Sequence, residues 1–444
     1  MSLLLMLAYG WSQEWPLDVI HLRNGHSFQG VILRETNDSV YFRQVIRLPG
    51  KPTYLLDAIF FREEIARIER IEEAMRQSWM IKLEKLELRG VHDKRRREAL
   101  RLERRPEGAW FYRGERFAIV SYLSNEELTR RVIVRLEDMF VALREYLGER
   151  TKVTKILTIY LYRDMTSYQQ ALKERGLGVA NPAIYIPSRA EILIVTDWEQ
   201  LAEQLSSLRA KHEAQLRDLD RYEAELRRHY HGHPPAGVME KIKIARWQLL
   251  RINQENEVIL ERQLQPLFRR CYHEGFHAYL DIYLYPQGSH NVPRWLNEGL
   301  AQIFETAIVE TGDIHIGHID AQRLHQVQQL LKQGSLPTIR DLLRSEPRHF
   351  QVNHSSEIYA SDRYFLASWA ATYFLVFSSQ AKGSGKNSGS LSGPALMRFI
   401  DDLASSENPK KVLEALTGKS LDELESDWQL YFLRLRPDGT LRAL

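Results

Sequence analysis

The chain has 444 residues, of which 44% are hydrophobic and 27% are charged, and this length exceeds what one compact core usually organises, so we expect two or three domains. Its 61 lysines and arginines nearly balance its 58 aspartates and glutamates, and the resulting charge of +3 excludes an electrostatic case for a nucleic-acid partner. The single cysteine, Cys271, excludes an internal disulfide framework and a zinc cluster held by several thiolates.

The first residues, MSLLLMLAYG, have the composition of a short secretion signal. An apolar core precedes Ala8 and Gly10, which are small residues of the kind that a signal peptidase requires. A positively charged start is missing, so either the signal is short or the true start lies upstream. We therefore expect a signal segment over residues 1–15 and export to the periplasm or the cell exterior. No later apolar run is long enough to cross a bilayer, so we expect no transmembrane segment.

Short strands separated by turns dominate residues 17–71. DVIHL and FQGVILRE flank Asn24-Gly25, a dipeptide typical of a type I′ hairpin turn, and further strand-like runs follow. This spacing predicts a small β-barrel-like module, or a small β-sandwich, over 17–71. Residues 72–105 are charged and contain no proline, which predicts a helical connector.

Strands and helices alternate after Pro106, which predicts an α+β domain over residues 106–435. The strand FAIVSYL comes first. Ser124 and Glu127 then form a capping-box pattern that predicts the start of a helix, and Gly148 predicts its end. KILTIYLY, AIYI and EILIVT supply three more strands, and mainly helical sequence follows.

Residues 200–262 predict an antiparallel helical hairpin inserted into this domain. Apolar residues recur at steps of three and four on both sides of the turn HYHGHPPAG. The tip carries His229, His231 and His233, which could bind a transition metal, although such a loop is more typical of a polar turn. The hairpin and the β module are both candidate surfaces for a protein partner.

The stretch CYHEGFHAY carries the strongest chemical signal. His273 and His277 are four residues apart, so on a helix both imidazoles lie on one face and can bind one ion. Glu274 follows the first histidine, where a carboxylate can serve as a general base. A catalytic zinc needs three protein ligands, and Glu298 is the candidate third ligand because twenty intervening residues allow a second helix to return. The alternative is a pair of unliganded histidines on an amphipathic helix, which the apolar flanks of the motif disfavour.

HEGFH followed by PRWLNEGLA resembles the gluzincin branch of the zinc metallopeptidases, in the peptidase-MA-like superfamily. More narrowly, the chain resembles an uncharacterised bacterial family of the planctomycete type, in which a small β module precedes such a domain. The resemblance is sharp from Cys271 to about Glu305 and looser from Phe117 to Leu435. It implies a zincin-like domain, with a small sheet above the HExxH helix and a helical C-terminal part. The edge strand of that sheet, AIYI or EILIVT, would hold an extended peptide.

The resemblance also implies roles for individual residues. His273, His277 and Glu298 would bind Zn2+, and Glu274 would be the general base in the hydrolysis of a peptide or protein substrate. These roles make the expected activity that of a zinc-dependent peptidase.

Gluzincins usually add a tyrosine or histidine that stabilises the oxyanion. Tyr364 is favoured for this catalytic role, with Tyr359 and His354 as alternatives in the same region. Gln302 and Glu305 share a helical face with the third ligand and could orient a ligand histidine.

Two other functions fit the same residues. The chain could be a binding or scaffolding protein that keeps the zincin fold without catalysis, or it could hydrolyse a non-peptide amide, because a fold does not fix a substrate. The residues leave the substrate, endo- or exo-cleavage and the oligomeric state open.

Overall fold

The computed structural model describes residues 16–46, 54–151, 155–178, 181–196, 199–286, 292–310, 313–350, 358–378 and 393–442. The expected signal segment, residues 1–15, lies outside this part. The described chain is a mixed α+β structure with two main sheets, as the alternating pattern predicts. Among the described residues, no helix combines the length and the apolar character that crossing a membrane requires.

The N-terminal strands form an antiparallel sheet. They are β1 (Asp18–Leu22), β2 (Ser27–Glu35), β3 (Ser39–Ile46), β4 (Tyr54–Phe61) and β5 (Ile65–Glu69). Gly25 has a φ of 87° in the predicted turn between β1 and β2, a backbone angle that favours glycine. The order is β4-β3-β2-β1-β5, so the described residues form one open sheet, and the expected barrel-like closure is wrong for them. The edge strand β4 contacts helices instead of pairing with β5.

A long helix, α1 (Glu73–Ala99), covers one face of this sheet. Leu83 is fully buried with Val31 and Val45, because the helix places its few apolar side chains on the sheet. The carboxylate of Asp18 is also fully buried, where it accepts hydrogen bonds from Ile32 N and Ile71 N, both at 2.9 Å. Arg76 of α1 also donates to Asp18 Oδ1 at 3.0 Å, so this ion pair and Leu83 join the helix to the β module.

The second sheet has six strands in the order β10-β11-β9-β8-β7-β6. They are β6 (Glu103–Arg104), β7 (Trp110–Arg113), β8 (Phe117–Ser121), β9 (Leu157–Tyr162), β10 (Ala183–Ile186) and β11 (Glu191–Val195). β8, β9 and β11 run parallel, while β10 is antiparallel to β11. AIYI therefore forms the edge strand, and EILIVT lies one strand inside it.

Helix α2 (Glu126–Leu147) packs on the inner face of this sheet, and α3 (Met165–Glu174) packs on the outer face. The cap of α2 lies one residue later than predicted. The Asn125 side chain, rather than that of Ser124, accepts a hydrogen bond from Leu128 N at 2.9 Å. The helix ends before Gly148, as predicted. An asparagine caps as well as a serine, so the local pattern allowed both starts.

The hairpin consists of α4 (Glu199–His229) and α5 (Ala236–Gln263), close to the predicted range. A buried ion-pair cluster fixes its base, where Arg131 of α2 pairs with Glu257 and with Glu261, the latter at 2.9 Å. The hairpin is thus anchored to the domain core through charged groups that compensate one another.

Helices make up most of the remaining chain, and α6 (Gln265–Tyr279) and α7 (Arg294–Phe304) come first. A π-helical turn, Leu280–Leu284, extends α6. The later elements are β12 (Ile308–Glu310), β13 (Asp313–His315), α8 (Ala321–Lys332), α9 (Ile339–Leu343), α10 (Ile358–Phe377), α11 (Gly393–Ser405), α12 (Pro409–Thr417) and α13 (Leu421–Arg434). α7 packs between α6 and α10, so it is held from both sides.

Candidate metal centre

Helix α6 brings the two histidines together. Pro266 stands in its first turn, where a missing N–H costs nothing, and the helix buries Phe268, Tyr272 and Phe276 in the core. The Nε2 atoms of His273 and His277 lie 3.2 Å apart. The four-residue spacing thus produces the shared face that the sequence predicts.

Helix α7 adds Glu298 from the opposite side. Its side chain is 2% exposed, and its Oε2 atom lies 3.4 Å from His273 Nε2 and 3.6 Å from His277 Nε2. Gly299 makes this position possible. A Cβ atom at Gly299 would lie 2.1 Å from Thr372 Oγ1 and 2.5 Å from Ser368 O, so a side chain there would push α7 away from α10.

The three candidate ligand atoms form a compact triangle. Its sides measure 3.2, 3.4 and 3.6 Å. Ligand atoms at zinc bond lengths of about 2.1 Å lie about 3.4 Å from one another in a tetrahedron. Within the described part of the chain, this is the one group of three histidine, cysteine or carboxylate side chains able to hold an ion. The exposed histidines at the hairpin tip are not part of such a group.

The outer nitrogens of both imidazoles are engaged. His273 Nδ1 donates a hydrogen bond to Glu305 Oε2 at 2.9 Å, and His277 Nδ1 donates to Asn297 Oδ1 at 2.8 Å. With the proton on Nδ1, each neutral ring presents the lone pair of Nε2. Two such lone pairs and a carboxylate converge on one point, which is an arrangement that a cation stabilises.

The pKa values of the site residues reflect this convergence. Burial opposes protonation of His273, but hydrogen bonds to Glu298 and Glu305 raise its pKa to about 10. Burial likewise opposes ionisation of Glu298, yet the nearby histidines hold its pKa well below the usual range. The two carboxylates therefore favour positive charge at this position.

Glu305 is the centre of a charged network behind His273. Arg269 Nη2 and Arg323 Nη2 each donate to Glu305 Oε1 at 2.7 Å, while the other oxygen accepts from the histidine. Arg323 keeps the pKa of Glu305 far below its ordinary value even though burial opposes this. The prediction that Glu305 orients a ligand histidine is matched by this contact.

Gln302 has a different place. Its Nε2 donates to Glu298 O at 3.2 Å and to Phe365 O at 2.9 Å. The bond to Phe365 O holds α7 on α10, so the side chain fixes the helix rather than a candidate ligand ring.

The candidate base Glu274 contacts the edge strand of the sheet. Its Oε2 accepts a hydrogen bond from Tyr185 N of β10 at 2.7 Å. Tyr185 in turn donates its hydroxyl to Asp281 Oδ2 at 2.6 Å, which fixes the strand next to α6. The carboxylate is thereby held beside the histidines without belonging to the ligand triangle.

Arg294 pairs with the second carboxylate oxygen of Glu298. Its Nη2 lies 2.6 Å from Glu298 Oε1, and its side chain is 49% exposed. The two carboxylate oxygens are therefore divided, with Oε2 toward the histidines and Oε1 toward the guanidinium. This pairing favours one-oxygen coordination by Glu298.

No described contact links the triangle to the residues that the sequence offers for oxyanion stabilisation. The Tyr364 ring stacks on His349 with centroids 4.7 Å apart and meets the edge of Phe350 at 5.9 Å. His354 and the side chain of Tyr359 lie outside the described residues. A catalytic role for Tyr364 stays a prediction.

Two contacts of the site are not predicted by the sequence analysis. Asn297 directly precedes a predicted ligand, and a search for amide acceptors beside that ligand could have found it. The backbone N–H of Tyr185 carries no side-chain signal, because its role depends on how β10 lies against α6.

Comparison with known protein families gives a match over part of the chain. Residues 270–383 match a family described as a protein of unknown function (DUF1570). The matched segment holds His273, Glu274, His277 and Glu298. No curated protein matches the chain.

Proposed function

We propose that this protein is a zinc-dependent peptidase of the zincin type. The observation that carries the proposal is the triangle of His273 Nε2, His277 Nε2 and Glu298 Oε2, whose sides of 3.2 to 3.6 Å suit tetrahedral zinc. Zinc is the ion that three ligands of this kind, with one position left open, usually bind in hydrolases. The family resemblance of HEGFH and PRWLNEGLA supports the same ion.

Glu274 supplies the proton chemistry in this proposal. When bound, zinc supplies a Lewis acid that polarises a carbonyl group and acidifies water. Glu274 accepts a proton from the attacking water and returns it to the leaving amine. The Tyr185 N–H, 2.7 Å from Glu274 Oε2, holds the carboxylate in place for both steps.

The edge strand β10 supports a peptide as the substrate. Tyr185 N points toward α6 and away from β11, and backbone groups two residues along a strand point the same way. The main chain of Ala183 therefore faces the same space beside Glu274. An extended peptide could add to this edge as a further strand, which would bring its backbone past the base. This is the arrangement that the zincin resemblance implies.

The test is the substitution Glu274→Gln in the full-length chain. We expect the variant to keep one zinc per chain and to lose at least about 99% of peptide hydrolysis, because a neutral amide cannot accept the proton. Glu225→Gln, on the exposed face of α4, is the matched control and should behave like the wild type. Full activity in Glu274→Gln would exclude the proposed base.

A non-catalytic binding protein is the second candidate. The helices of the hairpin expose apolar side chains, among them Tyr222, Leu250, Ile252 and Ile259, each at least 41% exposed. Such exposure favours a protein partner. Under this alternative, wild type and Glu274→Gln would bind the same partner equally, and neither would cleave a broad peptide mixture.

A further inference from the structure

A cleft of about 430 Å³ opens directly beside the metal centre. Its walls come from the start of β10, around Asn181 and Ala183, and from the first half of α6. His273 and Glu274 form its inner end. The volume is large enough to receive a side chain or the end of a peptide rather than a single water molecule.

Two arginines line this cleft, and they differ in their partners. Arg269 is neutralised, because it lies 2.7 Å from Glu305 and 2.9 Å from Asp320. Arg270 is half-buried, and its Nη1 donates to the backbone oxygen of Val195 at 3.0 Å. Within the described residues, Arg270 forms no ion pair with a carboxylate.

Glu274, an acidic residue that lines the same cleft, does not pair with Arg270 in the described contacts. Glu274 lies one helical turn further along α6, but its carboxylate is bound by Tyr185 N instead. A guanidinium carries five donors, and one backbone carbonyl uses only part of that capacity. The cleft is therefore lined, on the same helix as the candidate base, by a guanidinium whose described contacts use only part of its donor capacity.

We propose that this cleft receives a carboxylate of the substrate and that Arg270 binds it. The inference rests on the proposed peptidase function and names the substrate class of that same site. Arginine binds carboxylates through two parallel hydrogen bonds, and this geometry distinguishes them from neutral amides. Arg270 is thus a specificity-determining residue.

The distance along the helix sets where the carboxylate lies. Arg270 precedes Glu274 by four residues, or about 6 Å along α6. An extended peptide advances about 3.3 Å per residue, so the recognised carboxylate lies within about two residues of the scissile bond. It is either an aspartate or glutamate side chain or the C-terminal carboxylate of the peptide.

The test compares cleavage of degenerate decapeptides by the zinc-loaded full-length protein. One pool has free C-termini and the other has C-terminal amides, and mass spectrometry identifies the products. Glu, Gln and Lys versions of the best substrate then give kcat/KM ratios for wild type, Arg270→Gln, Arg270→Lys and Arg270→Glu. Arg221→Gln, 76% exposed on the hairpin, is the control.

We expect the carboxylate peptide to be cleaved about 10- to 100-fold more efficiently than its neutral counterpart by the wild type and the control. Arg270→Gln should bring this ratio close to one by lowering kcat/KM for the carboxylate peptide far more than for the neutral peptide, whereas misfolding would lower both values equally. Arg270→Lys should keep part of the ratio. Arg270→Glu should instead prefer a lysine peptide, a gain that loss of structure cannot produce.

The pools separate the two sources of the carboxylate. Enrichment of Asp or Glu at one position in both pools indicates the side chain, whereas cleavage confined to the free-acid pool indicates the chain terminus. Cleavage without either preference, or a preference that persists in Arg270→Gln, would overturn the subsite and leave the peptidase proposal standing. If the zinc-loaded wild type cleaves no peptide, the peptidase proposal fails and the subsite fails with it.

Discussion

Glu305 and His273 are joined by a hydrogen bond of 2.9 Å between Oε2 and Nδ1. Glu305 caps the helix that carries Glu298, so α7 and its cap supply both a candidate ligand and the group that holds the facing ring. Because Nδ1 keeps the proton, Nε2 is left to face Glu298. The orientation of this candidate ligand therefore depends on a residue outside the triangle.

Replacement of Glu305 should weaken zinc binding. Removal of the acceptor in Glu305→Ala frees the imidazole to rotate and to shift its proton, and we expect zinc affinity to fall about 10- to 100-fold. Glu305→Gln should lose less zinc affinity than Glu305→Ala, because its amide oxygen can still accept a hydrogen bond from His273 Nδ1. Competition with a chromophoric chelator measures the affinities.

Asp320→Asn is the control for the Glu305 variants, since Asp320 also pairs with Arg269 but does not contact a histidine. Its zinc affinity should stay at the wild-type level. Equal losses in Asp320→Asn and Glu305→Ala would mean that the charge network acts generally, and not through His273.

Asn297 should have the same function for the second histidine. Its Oδ1 accepts from His277 Nδ1 at 2.8 Å, so Asn297→Leu removes the acceptor and keeps the same branching of side-chain heavy atoms. We expect zinc affinity to fall about tenfold or more, and Asn297→Asp to retain it. The same chelator titration applies, and unchanged affinity in Asn297→Leu would show that packing alone orients His277.

The close approach of α7 and α10 at Gly299 predicts a stability effect. In Gly299→Ala the new methyl group would overlap Thr372 Oγ1 and Ser368 O, and overpacking of this kind costs about 1–3 kcal/mol of unfolding free energy. Zinc content should fall as well, because Glu298 is the neighbouring residue. Denaturant unfolding and elemental analysis measure the two effects.

Gly237→Ala is the matched control for this substitution. Gly237 lies in α5 with open space around it, so alanine should keep the stability or raise it by up to about 1 kcal/mol. Thr372→Ala in the Gly299→Ala background should rescue only part of the loss, since the clash with the backbone oxygen of Ser368 remains. Full stability in Gly299→Ala alone would show that the helices can separate without cost.

Cys271 should report unfolding of the α6 helix. The thiol is fully buried, and burial raises its pKa from 9.0 to about 12. It therefore stays protonated in the folded chain at pH 8, and burial of the thiol lowers stability only as the pH rises above about 9 toward 12. A disulfide reagent at pH 8 should label one thiol per chain after denaturation and almost none before. Rapid labelling of the native protein would contradict the burial.

The sequence predicts the metal triangle because local periodicity fixes most of it. Four-residue spacing forces His273 and His277 onto one helical face, and twenty residues leave room for Glu298 to return. The hairpin strands at Asn24-Gly25 and the two long helices of residues 200–262 are predicted for the same reason. Each depends on a short or strongly periodic pattern.

Contacts between distant segments could not be predicted in this way. Tyr185 and Glu274 are 89 residues apart and meet only because β10 is the edge strand beside α6. Whether the β module closes also depends on long-range pairing, because the spacing of strands along the sequence does not determine whether β4 pairs with β5 or packs against a helix. Asn125, and not Ser124, caps α2, and the sequence could not distinguish them because asparagine and serine cap helices about equally well.

Zinc stoichiometry by elemental analysis tests the central claim most directly. The account predicts one zinc per chain in the wild type, a large loss in Glu298→Ala, and no loss when the tip residues His229, His231 and His233 are all replaced by alanine. Absence of zinc from the reconstituted wild type, or equal zinc in wild type and Glu298→Ala, would contradict it.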